Sequence, residues 1–128
     1  MSTMGKFKGV TPRLLPRFLS PAALQNETLV SAVMAMGEAV GQHNFALQQE
    51  AIMNRREQMG TLAQFHKPSL VLCGDLDELT PPELAHEMAG VLRDAELVIV
   101  PDVGHLSAME APDEVTAALL RLIDRIAT

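Results

Sequence analysis

The sequence predicts an α/β protein in which a helical segment, residues 1–66, is followed over residues 67–128 by a strand-helix-strand-helix unit with two parallel strands. Three observations predict it. The chain changes character at Lys67-Pro68, with helical periodicity before that point and alternating strand and helix signals after it. Two short β-type runs, Ser69 to Cys73 and Glu96 to Val100, read as strands. A helix-start pattern stands between them, and a helix is the usual connection between parallel strands.

In chain order, Pro12, Pro16 and Pro21 prevent one continuous helix at the start, because each lacks a donor and restricts the residue before it. A loop with short turns is expected. From about Asn26, the positions Leu29, Val30, Val33, Met36, Gly37 and Val40 recur at helical spacing, and Gly41 reads as the C-terminal stop. A second helix is expected from about Asn44 to Gln58, with Phe45, Gln49, Ile52 and Arg56 on one side and Gly60 closing it. Of Met34, Met36, Met53 and Met59, two are expected in the core, with an apolar pocket as the other use of thioether side chains.

The run Ser69-Leu70-Val71-Leu72-Cys73 is continuously apolar and stops at Gly74, which suits a strand covered on both faces. Thr80-Pro81-Pro82-Glu83 predicts a helix start, with Thr80 as N-cap, Pro81 at the first helical position and Glu83 closing a capping box. Leu84, Ala85, Met88, Ala89 and Leu92 are expected to form that helix's buried face. Glu96 to Val100 is the second strand, and Pro101-Asp102-Val103-Gly104 turns the chain into His105. The last helix starts near Pro112. Its expected apolar stripe is Val115, Ala118, Leu119, Leu122, Ile123 and Ile126, with Asp113, Glu114, Arg121, Asp124 and Arg125 facing away.

Composition narrows the function. The chain has 128 residues, 48% hydrophobic and 20% charged, as expected of a soluble globular protein. A net charge of -6 and 3% aromatic residues, without Trp or Tyr, supply neither the basic footprint nor the stacking platforms that nucleic acid requires. No apolar run approaches the roughly 18 to 20 residues that span a bilayer. The basic start, Lys6, Lys8 and Arg13, is not followed by a signal-peptide core, and the lone Cys73 lies within an apolar run. A cytoplasmic setting, with no nucleic-acid or membrane partner, is the expectation.

Chemistry concentrates in two loops. Parallel strands joined by a right-handed crossover send the loops after Cys73 and after Val100 to the same carboxyl edge of the sheet. Asp77 and His105 can therefore meet there. A carboxylate beside an imidazole fixes the ring's tautomer and stabilises the imidazolium formed when the ring takes a proton. His43, His66 and His86 show no metal-ligand spacing and read as solvated or helix-end residues.

The stretch Pro68 to Pro81, with its apolar strand ending at Gly74, Asp77 three positions on and Thr80-Pro81 opening a helix, resembles the acid-bearing strand and loop of the α/β-hydrolases. Val103-Gly104-His105, with Glu110-Ala111-Pro112 behind it, resembles the catalytic histidine loop of the same family. Met34 to Arg56 is similar to the helical cap that many members insert before the acid-bearing strand. The resemblance implies a partial α/β-hydrolase fold: a cap segment at 1–66 and the C-terminal part of the core at 67–128. It further implies Asp77 as triad acid, His105 as triad base, a small-molecule acyl substrate and no cofactor.

Members of that family place a serine on a G-x-S-x-G elbow upstream of the acid. None of Ser2, Ser20, Ser31, Ser69 and Ser107 has that setting. Ser107 would be the only local substitute. The chain alone is thus expected to be inactive, since losing the nucleophile of a triad can cost on the order of a millionfold in turnover. Two parallel strands do not make a stable sheet by themselves, so further strands are expected from an N-terminal half of the fold or from a second copy of the chain. Two rival readings stand beside this one. The chain could be a degenerate, non-catalytic hydrolase module that binds a partner through its sheet edge. Asp75-Leu76-Asp77 also resembles the start of haloacid-dehalogenase-like phosphatases, in which the first Asp attacks phosphorus, the second acts as acid and base, and magnesium joins them.

Overall fold

The computed structural model describes residues 11–53 and 58–127. From Thr11 to Gln25 the chain forms a short helix, α1 (Leu15–Phe18), and a 3₁₀ turn at Ala23–Gln25. Pro16 lies in the first turn of α1, where an N–H has no intrahelical acceptor and its loss is harmless. This is the expected loop with short turns. Its apolar side chains nevertheless build a core, because Leu15, Leu19 and Ala23 are buried together with Val33 of the next helix.

That helix, α2 (Glu27–Met53), starts where the Leu29 N–H donates to Asn26 Oδ1 at 3.1 Å. Gly41 interrupts it with φ 79° and ψ 163°, so the segment is two helices meeting at the glycine that the periodicity marked as a stop. Leu29, Val30 and Met34 pack on the buried cluster, whereas Met36 is exposed. Beyond Gly41, Phe45 is half-buried and Gln49 exposed, while Arg56 lies outside the described residues. Gly60 does not close this helix. It lies inside α3 (Met59–Ala63) without the left-handed backbone by which a terminal glycine ends a helix.

The remainder is the alternating unit: β1 (Ser69–Gly74), α4 (Pro82–Val91), β2 (Ala95–Val100), α5 (Ser107–Glu110) and α6 (Pro112–Ala127). The strands are parallel and in register from Ser69 opposite Ala95 to Gly74 opposite Val100, so both end at one edge. Side chains alternate across the sheet. Val71, Cys73, Leu97 and Ile99 meet Ala85, Met88 and Ala89 of α4 on one face. On the other face Leu72 and Val98 pack with Val100, Val103 and Ala111.

The structure corrects two further helix readings. α4 begins one residue later than expected, with Pro81 as its N-cap and Pro82 at its first position, and no side chain caps it. Thr80 is drawn out of the cap role because its hydroxyl and its N–H both bind Asp77. Leu84 is exposed rather than buried. In α6 the face turned to the sheet is Val115, Ala118, Leu122 and Arg125, with Ala118 fully buried; Leu119, Ile123 and Ile126 stay exposed. Arg121 and Arg125, expected to face away, reach the starts of the strands: Arg121 Nε meets Glu96 at 2.9 Å, and Arg125 Nη1 donates to the Ser69 carbonyl at 3.1 Å. The apolar stripe of α6 is wider than a two-stranded sheet covers, so the contact forms along the small Ala118 and the charged ends satisfy strand-end carbonyls.

Candidate active site

At the shared edge the two loops are laced to each other by backbone. The Asp75 N–H donates to the Val100 carbonyl at 3.0 Å and the Leu76 N–H to the Val103 carbonyl at 2.9 Å. In return the Asp102 N–H donates to Asp75 Oδ1 at 2.7 Å, holding the turn in which Asp102 takes φ 61°. Gly74 makes this approach sterically feasible, since a Cβ there would lie 2.1 Å from the Val103 carbonyl oxygen. These contacts carry Asp77 and His105 toward each other.

Asp77 is buried at 7% exposure, so its carboxylate requires partners. Oδ1 accepts the N–H groups of Leu79 and Thr80, each at 2.9 Å, and Oδ2 accepts the Thr80 hydroxyl at 2.9 Å. His105 Nδ1 lies 3.1 Å from Oδ1 and 3.0 Å from Oδ2. Burial pushes the Asp77 carboxyl up, but the hydrogen bonds from the Thr80 N–H, the imidazole and the Thr80 hydroxyl, with the charge of His105, outweigh it and hold the group below its ordinary value. An ionised carboxylate only accepts, so Nδ1 is the donor, and in the neutral ring Nε2 is left with a free lone pair. The Thr80 Oγ1 is 3.4 Å from the same Nδ1, a long secondary contact.

The histidine loop rests on the segment between Phe18 and Ser20. On one side of His105 the Leu106 N–H donates to the Phe18 carbonyl at 3.1 Å. On the other, the Gly104 N–H donates to Glu110 Oε2 at 3.1 Å. Glu110 also accepts the Ser20 N–H at 3.1 Å and the Ser20 hydroxyl at 2.6 Å. The Phe18 and His105 rings meet edge to face with centroids 6.2 Å apart.

Sequence reasoning missed Phe18 and Ser20 as parts of this site and met Thr80 and Glu110 only within motifs. Thr80 was legible as a polar residue three positions after Asp77. For Phe18 and Ser20 no local signal existed, because their partners lie far along the chain.

A cleft of about 650 Å³ opens beside the pair. Met59 and Leu62 of α3 and Leu84 and Met88 of α4 form its apolar walls, and Thr80, His105 and Ser107 line it with Asp77. Met34 is thus in the core and Met59 in the cleft, while the side chain of Met53 is outside the described residues. Cys73 also borders the cleft; burial first, then the charges of Asp77, Glu83 and Asp75, push its thiol up, away from the reactive thiolate. The Ser20 and Ser69 hydroxyls are engaged, by Glu110 and by the Lys67 carbonyl. His43, His66 and His86 are exposed, and among the described residues no three His, Cys, Asp or Glu side chains group as metal ligands. Among them too, no helix is long and apolar enough to cross a membrane.

Residues 44–121 match the family model described as TAP-like protein, an α/β-hydrolase family. Lipase 1 of Psychrobacter immobilis is 34% identical over 68 residues, which is 53% of this chain and 22% of the lipase. Lipase 3 of Moraxella sp. is 31% identical over 65 residues, 51% of this chain and 21% of that protein. Among solved structures, a thermophilic esterase from Thermogutta terrifontis superposes with a TM-score of 0.85 at 26% identity, covering 91% of this chain and 43% of the esterase. The protein BpoC of Mycobacterium tuberculosis, at 24% identity and a TM-score of 0.67, shares the fold. The matches to the two lipases thus span about one-fifth of their length, and this chain covers less than half of the esterase.

Proposed function

Because the chain belongs to the α/β-hydrolase family, we propose that it carries the acid and the base of a hydrolase that cleaves a carboxylic ester, amide or related acyl bond without a cofactor. The observation that supports this most directly is the contact of His105 Nδ1 with both oxygens of the buried Asp77 carboxylate. Asp77 orients the ring and stabilises its charged form. His105, through Nε2, takes the proton of an attacking hydroxyl as general base and returns it to the leaving group as general acid.

The nucleophile is supplied by upstream sequence of the fold, as are the further strands beside β1. The chain without it is inactive. The apolar walls of the cleft suit an uncharged acyl or alkyl group of the substrate. The lone, buried Cys73 is consistent with a cytoplasmic setting.

The phosphatase reading is less well supported, since Asp75 Oδ1 is occupied by the Asp102 N–H. The test is turnover of p-nitrophenyl esters by the complete hydrolase containing this sequence. His105→Ala and Asp77→Asn should each lower kcat severely, by roughly 10⁴-fold for a misoriented histidine. Unchanged turnover in His105→Ala overturns the assignment.

A further inference from the structure

We infer that Glu110 is the positioning residue of His105, acting through Gly104 and Ser20 rather than by touching the imidazole. The inference rests on the reading of His105 as the base and adds to it how the ring is held.

Asp77 is fixed from within its own loop by the Leu79 and Thr80 N–H groups, so its carboxylate has a set direction before the ring arrives. The ring is less tightly held, because His105 is about one-third exposed and its side chain meets Asp77, at longer range Thr80, and the edge of the Phe18 ring. Its direction therefore follows from the main chain on either side. There the structure has two anchors: Gly104 N–H on Glu110 and Leu106 N–H on the Phe18 carbonyl. Both lead to the same segment, since the Glu110 carboxylate also accepts both donors of Ser20.

A single carboxylate thus ties the residue before His105 to a stretch of chain far upstream. Charge-assisted hydrogen bonds are about twice as strong as neutral ones, which suits a small number of contacts to holding a loop. The fit is close. A Cβ on Gly104 would come within 2.9 Å of Glu110 Oε2 and 2.8 Å of the Ser20 nitrogen, so glycine is needed beside the histidine for the carboxylate to reach.

The experiment reads the imidazole tautomer of His105 in the full chain by two-bond 1H–15N correlation in alkaline buffer, with far-UV circular dichroism on each variant. The parent chain is expected to show the Nδ1–H tautomer that donates to Asp77. Glu110→Ala should lose at least half of that population to the Nε2–H form. Glu110→Gln, which keeps an acceptor for Gly104 and gains an amide for Ser20, should restore it. Glu110→Asp keeps the charge but is one methylene too short to span both partners; it should fall between the parent and Glu110→Ala, and it serves where the alanine variant does not fold. An unchanged tautomer in folded Glu110→Ala or Glu110→Asp overturns the inference, as does unfolding of all three variants, which would make Glu110 a residue of the fold and not of the ring. Neither result touches the assignment of His105 as base, which stands or falls on turnover.

Discussion

The backbone lacing of the two loops makes Gly74→Ala a sharp perturbation, because the new Cβ would sit 2.1 Å from the Val103 oxygen and 2.5 Å from the Gly104 oxygen, both of them backbone. An ordinary carbon-oxygen contact is about 3.3 Å, so the loops must part by about 1.2 Å. The Leu76 to Val103 and Asp75 to Val100 hydrogen bonds, at 2.9 and 3.0 Å, cannot survive that separation. Two such bonds contribute about 1 kcal/mol each, and residual strain adds about 1 kcal/mol. Replacing glycine within a strand returns about 0.5–1 kcal/mol of chain entropy, which leaves a net loss of about 2 kcal/mol. With a urea slope of about 2 kcal/mol/M, the midpoint of unfolding should drop by about 1 M. Asp77 follows one loop and His105 the other. Their 3.0 Å contact should therefore open to roughly 4 Å, beyond hydrogen-bond reach. A midpoint within about 0.3 M of the parent together with an unchanged His105 ring spectrum would refute the interlock.

The depressed Asp77 carboxyl gives stability that is fully present above the ordinary aspartate value of about 3.9 and is lost as pH falls below it toward the native value. Urea midpoints measured from pH 6 down to pH 2 should show this acid-side loss reduced in Asp77→Asn. Thr80→Val removes the hydroxyl that donates to Oδ2 and should raise the Asp77 value, followed by carboxyl 13C titration, at a cost of about 1 kcal/mol in the midpoint. Cys73 has a raised thiol, so its stabilising contribution is complete below the ordinary value of about 8.5 and declines as pH rises beyond it. Iodoacetamide at pH 8 should label native Cys73 far more slowly than the urea-unfolded chain; equal rates would contradict its burial.

Much of the fold was legible because its signals are local. A five-residue apolar run ending at Gly74, a proline pair after it and a second apolar run ending before Pro101 mark strand, helix and strand without reference to anything distant. Parallel strands then bring their ends to one edge, which is how two loops so far apart in sequence predict a contact between Asp77 and His105. Gly41 was readable for the same reason, as glycine is the residue that leaves a helix most cheaply.

Tertiary structure decided what depends on competition between partners. Thr80 has the composition of an N-cap, yet a buried carboxylate three residues away is a stronger claimant for its hydroxyl and N–H, so the cap moved to Pro81. The periodicity of α6 locates its apolar residues but not which of them face a narrow sheet; Ala118 lies inside because it permits close approach, and Leu119, Ile123 and Ile126 remain outside. The seat of His105 on Phe18, Ser20 and Glu110 is the furthest from local pattern. Sequence alone determined which residues have the chemistry to act as acid and base, and long-range hydrogen bonding decided how the loop that carries His105 is seated.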